Sequence, residues 1–405
     1  MAAGTALDDR MVKRARAALE AAQPRRRCTV ARTRSWTTSV ALAALLLGSA
    51  VSAGSTEAAT PASLAAAAYA RMSTSQRIGQ LFVAAVPVTG STLSARAALA
   101  RYHVGNVVLV GASFAGTAGV AAQVAPVRRV ATQAAVLPFV GVDQEGGYVQ
   151  HLKGVGFSTI PTALRQGQLS TATLRGDWRL WAGQLRRPGV NLDLAPVADV
   201  VPASVGTRNQ PIGRYYREYG YTPAAVGSHV SAVVLGMRDA GITATAKHFP
   251  GIGRATGNTD TTVGVTDPTT RYDAYLAPFR SAIAAGAPVV MVSTAIYPRI
   301  DRTTVGAFSH LIVTTMLRHQ LGFNGLIVSD SLTAVSLQNY TYATRAIRAL
   351  DAGVDVLLVT SNTPVAAMTS AIAGRMRTSP AFASVVRTAV LRVLTAKASA
   401  GLVHP

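Results

Sequence analysis

The stretch AAVGSHVSAVVLGMRDAGITATAKH, residues 224–248, carries two different secondary-structure signals in succession. Its first part has apolar residues at helical spacing and ends in Gly241, a residue suited to stopping a helix. Its second part, from Ile242 onward, is apolar and rich in β-branched residues, which predicts a strand. The strand would end on Lys247 and His248. This order of elements predicts an α/β fold with a polar pair at a strand end.

Apolar runs of strand length recur along the chain. Eight such runs are LFVAAV at 81, GNVVLVG at 105, LPFVGVD at 137, GVNLDLAP at 189, ITATAKH at 242, PVVMVST at 288, GLIVSD at 325 and VDVLLVT at 354. Segments with helical periodicity lie between most of them, which indicates a parallel sheet covered on its faces. Eight units in about 290 residues favour a (β/α)8 TIM barrel over an open doubly wound sheet. The tail after Ser361 is enough for one or two closing helices, so we expect a single catalytic domain.

The N-terminus has the features of an export signal. Nine basic residues between Arg10 and Arg34 precede the apolar run SVALAALLLGSAVSA, and Val51-Ser52-Ala53 offers small residues for cleavage. We therefore assign residues 1–53 to a signal peptide, residues 54–70 to a flexible linker and residues 71–405 to the barrel domain. Arg25-Arg26-Arg27 allows a twin-arginine signal as an alternative. The only cysteine, Cys28, would be removed, which leaves no disulfide and no transmembrane segment after processing.

The composition supports a folded and strongly basic protein. The 405 residues are 49% hydrophobic and carry a net charge of +21, which becomes +15 once the nine basic and three acidic residues of 1–53 are removed. This charge would hold an exported protein near an anionic cell wall. The basic residues are scattered along the chain, so we expect no nucleic-acid partner.

Polar residues follow several of the predicted strands directly. They are Asp143, Asp193, Lys247, His248 and Asp330. The strands of a TIM barrel end at one rim, so these side chains should meet in one pocket. Carboxylates with a lysine and a histidine suit a polyhydroxylated substrate, because each can donate to or accept from hydroxyl groups. No group of residues has metal-ligand spacing, and we expect neither a metal nor another cofactor.

Four motifs together resemble glycoside hydrolase family 3, specifically the single-barrel β-N-acetylglucosaminidases of the NagZ type. They are DQEGG at 143, NLDLAPVADV at 191, AKHFPGIG at 246 and IVSDS at 327. The resemblance implies that Asp330 is the nucleophile of a retaining β-N-acetylhexosaminidase. It further implies that Asp143, Arg217, Lys247 and His248 bind the terminal N-acetylglucosamine, and we place Asp193 with these substrate-binding residues. The expected substrates are cell-wall glycans, and the expected location is outside the cell or at its wall.

The chain departs from this family in the loop after the KHFPG motif. Where the family commonly has an Asp-x-His dyad that supplies the general acid/base, this chain reads Asp260-Thr261-Thr262. Threonine cannot protonate a leaving alkoxide at neutral pH. Three alternatives follow: Asp260 is itself the acid with a raised pKa, His151 enters the site, or acid assistance is weak. We favour Asp260.

Other interpretations remain open at this stage. A sugar-binding protein without activity, a β-glucosidase-like enzyme and a phosphorolytic enzyme are all compatible with the motifs. Asp199, which follows LAPVA, is expected to have a structural role. Four histidines are expected to be structural as well: His103, His229, His310 and His319.

Overall fold

The computed structural model describes residues 59–255 and 257–404 of the chain. The predicted signal peptide, residues 1–53, lies outside the described residues, as do residues 54–58 of the predicted linker. Eight parallel strands form the central sheet. They are β1 Phe82–Pro87, β2 Asn106–Val110, β3 Val140–Val142, β4 Leu192–Asp193, β5 Thr243–Phe249, β6 Val289–Val292, β7 Leu326–Ser329 and β8 Leu357–Val359.

The sheet closes on itself. Each strand from β1 to β6 pairs with the next one along the chain, and β1 also pairs with β8. Between β7 and β8, Val328 pairs in parallel with Val356, and the Ser329 backbone N–H donates to the Val356 carbonyl at 2.9 Å. The predicted (β/α)8 barrel is therefore confirmed, and all eight predicted runs contribute a strand.

Helices surround the barrel. They are α1 Pro61–Arg71, α2 Thr74–Gln80, α3 Leu93–Arg101, α4 Gly116–Ala131, α5 Ala163–Gln166, α6 Thr171–Arg186, α7 Pro223–Asp239, α8 Ala277–Ala284, α9 Tyr342–Ala352, α10 Val365–Thr378 and α11 Pro380–Ser399, with a π-helix at Leu311–Gln320 and 3-10 turns at Gly206–Arg208, Gly213–Tyr215, Ala274–Leu276, Gly306–Phe308 and Val335–Leu337. Helix α7 comes from the opening stretch and packs against α6 and α8. Thr222 caps its first turn by accepting from the Ala225 N–H at 3.3 Å. The chain leaves through Gly241 at φ 72°, a conformation that glycine adopts without a steric penalty. Helices α10 and α11 fill the tail after Ser361, as predicted.

The barrel interior is a packed core and not a channel. Val83, Val108, Leu192, Met291 and Leu358 are among the buried side chains that fill it. The space that remains between these interior side chains is only about 20 Å³. A second, larger apolar core lies between the strands and the surrounding helices. The substrate must therefore bind above the interior layers, at the rim of the barrel.

Strand β4 is shorter than the run GVNLDLAP predicts. Only Leu192 and Asp193 join the ladder, and Pro196 follows closely in the chain. Proline has no backbone N–H to donate, which ends regular pairing. Part of the missing ladder is replaced by the Asn191 side chain, which accepts from the Val140 N–H at 2.7 Å and donates to the Pro138 carbonyl at 3.1 Å.

The prediction of a flexible linker over residues 54–70 is wrong for residues 61–70, which form helix α1. Thr60 caps this helix and Pro61 occupies its first turn, both favoured positions for these residues. Ala65 and Ala68 are buried, and the helix packs against α11. The alanine-rich composition that resembled a linker is also the best helix-forming composition. The folded domain thus begins before residue 71.

Two short hairpins lie outside the barrel. One pairs Gln144–Gly146 with Val149–Gln150, and the other pairs Ile296–Tyr297 with Asp301–Val305. The first follows β3 directly and contributes to the site described below. Within the described ranges, no helix has the length and apolar character needed to cross a membrane.

Candidate active site

A cavity of about 230 Å³ opens at the carboxyl ends of the barrel strands. Six of the seven predicted site residues line it: Asp143, Arg217, Lys247, His248, Asp260 and Asp330. The remaining lining residues are Val149, His151, Leu194, Pro211, Ile252, Asn258, Thr259, Met291, Ser331, Leu358 and Thr360. The lining therefore combines cations, carboxylates and a few apolar side chains, a combination suited to a small hydroxylated ligand.

Lys247 is at the centre of a buried network of charges. Its Nζ lies 2.5 Å from Asp143 Oδ1 and 2.6 Å from Glu145 Oε1, and its side chain is only 2% exposed. Arg217 binds the same Glu145 through two nitrogens, each at 2.7 Å. Two cations thus face two carboxylates, so the network is neutral. Neutralisation of this kind offsets the large desolvation cost of burying charge.

The pKa values in this network follow from the pairing. Burial alone would raise the pKa of Glu145, but the charges of Arg217 and Lys247 outweigh it and lower that pKa to about 2. Burial would lower the pKa of Lys247, whereas Asp143 and Glu145 together raise it. The pKa of Arg217 is raised too, because Glu145 outweighs the effect of burial. Glu145, Lys247 and Arg217 are therefore charged at neutral pH.

Asp143 and Glu145 differ in exposure, although both bind Lys247. The Asp143 side chain is 26% exposed, whereas Glu145 is 3% exposed and does not line the cavity. Asp143 can therefore reach a ligand directly, while Glu145 holds Lys247 and Arg217. Sequence reasoning did not single out Glu145. A signal was present, because residues two apart in an extended segment point to the same side.

His248 is oriented by Asp199. His248 Nδ1 lies 2.8 Å from Asp199 Oδ2, which also accepts from the His248 backbone N–H at 3.2 Å. The other oxygen of Asp199 accepts from the Ile252 N–H at 2.8 Å. Because Nδ1 is engaged with Asp199, Nε2 is the ring nitrogen left for the cavity. These bonds confirm the structural role predicted for Asp199.

Asp330 follows β7 directly and is held at the rim by backbone bonds. Its N–H donates to the Val292 carbonyl at 2.8 Å, and its Oδ1 accepts from the Ser331 N–H at 2.7 Å. Ser331 and Thr360 also line the cavity, and their hydroxyl oxygens lie 2.9 Å apart. The Asp330 carboxylate is thus fixed on one side and faces the cavity.

Asp260 lies on an exposed turn across the mouth of the cavity. Asn258 organises this turn, because its side-chain oxygen accepts from the Asp260 N–H at 2.9 Å and its carbonyl accepts from the Thr262 N–H at 2.8 Å. Asp260 is exposed to solvent at the mouth, yet protein encloses much of its carboxyl group. This partial burial, followed by the negative charge of Asp330, raises the pKa of Asp260 to about 6. Thr262 is exposed on the same turn.

Asp193 is the predicted site residue that the structure places elsewhere. It is fully buried and does not line the cavity, so the prediction that it binds substrate directly is wrong. Its Oδ1 accepts from the Gln144 N–H at 3.0 Å, which ties β4 to the hairpin after β3. Burial raises the pKa of Asp193 well above the usual range of an aspartate. The sequence places Asp193 at a strand end, but it does not show that other side chains of the fold bury this residue.

His151 follows the hairpin after β3 and lines the cavity. This position is the one that it would need as the alternative general acid. Its Nδ1 is buried and has no hydrogen-bond partner among the described residues. A ligand in the cavity would supply the missing partner. Within residues 59–255 and 257–404, no cluster of three or more His, Cys, Asp or Glu side chains could hold a metal ion.

Comparisons with known proteins match this geometry to one family. The sequence profile of the glycosyl hydrolase family 3 N-terminal domain matches residues 73–396, about four-fifths of the chain. A β-hexosaminidase of Xylella fastidiosa (strain M12) is 35% identical over 303 residues, which are 72% of this chain and 87% of that protein.

Two solved structures are similar over most of the barrel. The β-N-acetylhexosaminidase of Beutenbergia cavernae is 45% identical with a TM-score of 0.78, over 80% of this chain and 98% of that one. A family 3 β-N-acetylglucosaminidase of Paenibacillus sp. is 26% identical with a TM-score of 0.74, over 82% of this chain and 64% of that one. The predicted resemblance is confirmed: this chain belongs to glycosyl hydrolase family 3.

Proposed function

We propose that this chain is a retaining β-N-acetylhexosaminidase that removes terminal N-acetylglucosamine from glycans. One observation carries the proposal: Asp330 and Asp260 face the same small cavity as the Asp143, Lys247, Arg217 and His248 cluster. The names of the relatives at 35% and 45% identity support the choice of an N-acetylated hexosamine. In this arrangement the cluster binds the sugar, and the two aspartates carry out the chemistry.

The reaction has two displacement steps. In the first, the Asp330 carboxylate attacks the anomeric carbon, the bond from that carbon to the leaving oxygen breaks, and Asp260 gives its proton to that oxygen. In the second, the Asp260 carboxylate takes a proton from water, and the water oxygen attacks the anomeric carbon and releases Asp330. Two inversions at one carbon retain the configuration. A pKa of about 6 for Asp260 suits this exchange, because both protonation states are accessible near neutral pH.

His151 remains the alternative acid/base. It lines the cavity, and its Nδ1 has no partner among the described residues, so it can also exchange a proton with a ligand. Asp260 is favoured because it lines the cavity together with Asp330 and because burial, followed by the charge of Asp330, raises its pKa to about 6. General acid catalysis typically contributes about 10²- to 10⁴-fold, so an enzyme without it would still turn over substrates with good leaving groups.

Trapping of the covalent intermediate tests the proposal. A slow, fluorinated N-acetylglucosaminyl substrate should add its mass to the peptide that contains Asp330, and Asp330→Asn should abolish this label. Asp351→Asn is a matched control, because Asp351 is 41% exposed in a surface pair with Arg375. Tight sugar binding without label or turnover would instead indicate a binding protein without activity.

Two further measurements separate the related activities. A panel of nitrophenyl glycosides distinguishes an N-acetylhexosaminidase from a β-glucosidase-like enzyme, since only the former should prefer the 2-acetamido sugar. Rates with and without phosphate distinguish hydrolysis from phosphorolysis. Faster turnover in phosphate, with a sugar 1-phosphate as the product, would overturn the hydrolytic proposal.

The substrate source and location form part of the proposal. The basic charge and the N-terminal sequence support an exported enzyme that acts on peptidoglycan-derived glycans near an anionic wall. Fractionation of the producing cells tests this location. Recovery of the full-length chain from the cytoplasm alone would contradict it.

A further inference from the structure

Three tyrosines form an exposed cluster beside the cavity. The Tyr148 ring lies edge-on to Tyr215 and tilted to Tyr216, with ring centroids 6.1 Å and 6.4 Å away, respectively. The three residues are 70%, 37% and 39% exposed, in the same order. Large apolar side chains that cluster at a surface, as these do, often mark a binding surface. None of the three lines the cavity itself, and the chemistry proposed above does not use them.

The cluster adjoins the cavity through the chain itself. Tyr148 is followed by Val149, and Tyr216 is followed by Arg217; both following residues line the cavity. Neighbouring Cα atoms are about 3.8 Å apart, so the backbone of the two tyrosines adjoins the residues that line the cavity. The same cleft wall therefore continues from the charged network onto an aromatic surface.

The backbone that carries these rings is firmly held. The Gly147 N–H donates to the Ile160 carbonyl at 2.8 Å. A Cβ on Gly147 would lie only 2.5 Å from Thr162 Cγ2, so the hairpin tip packs closely against the segment that contains Ile160 and Thr162. Tyr216 has φ 55° and ψ 41°, a left-handed conformation that is an outlier for a bulky residue. Such outliers concentrate at functional sites, where the surrounding structure enforces them. The rings are thus exposed on a rigid frame.

We propose that Tyr148, Tyr215 and Tyr216 form a platform that binds the sugar next to the one held in the cavity. This inference rests on the proposed function, because an enzyme that removes a terminal sugar must leave the rest of the glycan outside. The cavity of about 230 Å³ is smaller than the roughly 300 Å³ at which pockets for drug-sized ligands begin, so it suits one sugar ring. The second ring must then contact the rim.

The chemistry of a tyrosine platform fits a pyranose ring. The axial C–H groups make one face of the sugar apolar, and this face can lie on the electron-rich face of an aromatic ring. The hydroxyl groups around the sugar edge can bond to tyrosine O–H groups. The platform would make this enzyme prefer oligosaccharides over simple N-acetylglucosaminides.

Turnover of two substrates tests the platform. Chitotriose has a leaving saccharide, whereas N-acetyl-β-glucosaminyl fluoride has none and needs little acid assistance. Tyr148→Ala should lower kcat/KM for chitotriose by about two- to tenfold, mainly through KM, and should leave the fluoride within about twofold of the wild type. Tyr148→Phe keeps the ring and should retain most of the chitotriose activity. Tyr272→Ala, at a tyrosine 78% exposed outside the cluster, is the matched control.

Binding measured without turnover separates the two proposals. In an Asp330→Asn background, calorimetry should show that Tyr148→Ala weakens chitotriose binding by two- to tenfold and leaves N-acetylglucosamine binding unchanged. Equal losses for both sugars, or none for chitotriose, would overturn the platform. A wild-type protein that binds chitotriose in this way but never cleaves the fluoride would overturn the enzymatic function alone. A change in self-association on ultracentrifugation, without any effect on sugars, would identify the cluster as a contact between copies of the chain.

Discussion

The two sides of the cavity differ in how firmly they are held. On one side, Lys247, Arg217, Glu145 and Asp143 form a buried network in which each charge has a partner. On the other, Asp260 lies on an exposed turn held by Asn258 and by one backbone bond, from the Ser336 N–H to the Thr259 carbonyl at 2.9 Å. The side that we propose binds the sugar, called the binding side below, is therefore held by several contacts. The side that we propose donates the proton, called the proton-donating side, depends on a single loop.

The largest expected effect concerns Asp330, the proposed nucleophile, which lines the same cavity. Asp330→Ala should lower kcat by about 10⁴- to 10⁶-fold, as loss of a nucleophile does elsewhere, while the urea midpoint stays close to that of the wild type. Steady-state rates on nitrophenyl N-acetylglucosaminide and an unfolding curve are the measurements. Less than a tenfold loss would show that another group attacks the sugar.

The next largest effect tests the proton-donating side. Asp260→Asn should lower kcat by about 10²- to 10⁴-fold on substrates with poor leaving groups and far less on activated ones. Asp260 must be protonated to act as the acid, and its pKa is raised to about 6, so the wild-type kcat/KM should fall as the pH rises above about 6. The variant should lack this alkaline limb. If His151→Asn removes the limb and Asp260→Asn keeps it, His151 is the acid.

The binding side should respond in stability as well as in activity. Lys247→Met leaves Glu145 and Asp143 without their shared cation, and breaking a buried pair in this way typically costs about 3–5 kcal/mol of unfolding free energy. Arg175→Met is the matched control, because Arg175 is 44% exposed in a surface pair with Asp239, and such pairs contribute at most about 1 kcal/mol. Urea unfolding of both variants measures the contrast. Equal losses of unfolding free energy in the two variants would mean that Lys247 contributes no more to stability than a cation in a surface pair.

The smallest effect concerns Asp193, which lies beneath both sides. Burial raises the pKa of Asp193 above its usual value of 3.8, so the folded state binds more protons than the unfolded state. This contribution to stability is complete at low pH and is lost as the pH rises through the folded-state pKa. Asp193→Asn keeps the acceptor for the Gln144 N–H and carries no charge, so it should be within about 1 kcal/mol of the wild type at low pH and more stable above.

Unfolding midpoints of the wild type and Asp193→Asn at several pH values measure this contrast. A loss of stability in the variant that grows as the pH rises would show instead that Asp193 is ionised in the folded protein and that its charge is needed.

Much of the barrel could be predicted because its signals are local. The run from Ala224 to Gly241 has helical spacing and a glycine stop, and Ile242 to His248 reads as a buried strand; α7 and β5 occupy these positions. The prediction failed at residues 61–70, because the composition of a linker and that of a short helix overlap. Two features show that these residues form a helix: Thr60 caps it, and Ala65 is buried where the helix packs against α11. The packing depends on residues of α11, which are far away in the sequence.

By itself, the sequence determined the class of fold, the family, and which polar residues follow strand ends. The reason is that the spacing of apolar residues, the capping residues and the order of motifs are properties of contiguous segments. Only the tertiary structure decided what each polar residue does. It showed Glu145 as the partner of two cations, Asp199 as the group that orients His248, His151 as part of the cavity, and Asp193 as buried beneath it. The physical reason is that desolvation and Coulomb interactions depend on distances between atoms from different strands, and these distances exist only once the barrel closes.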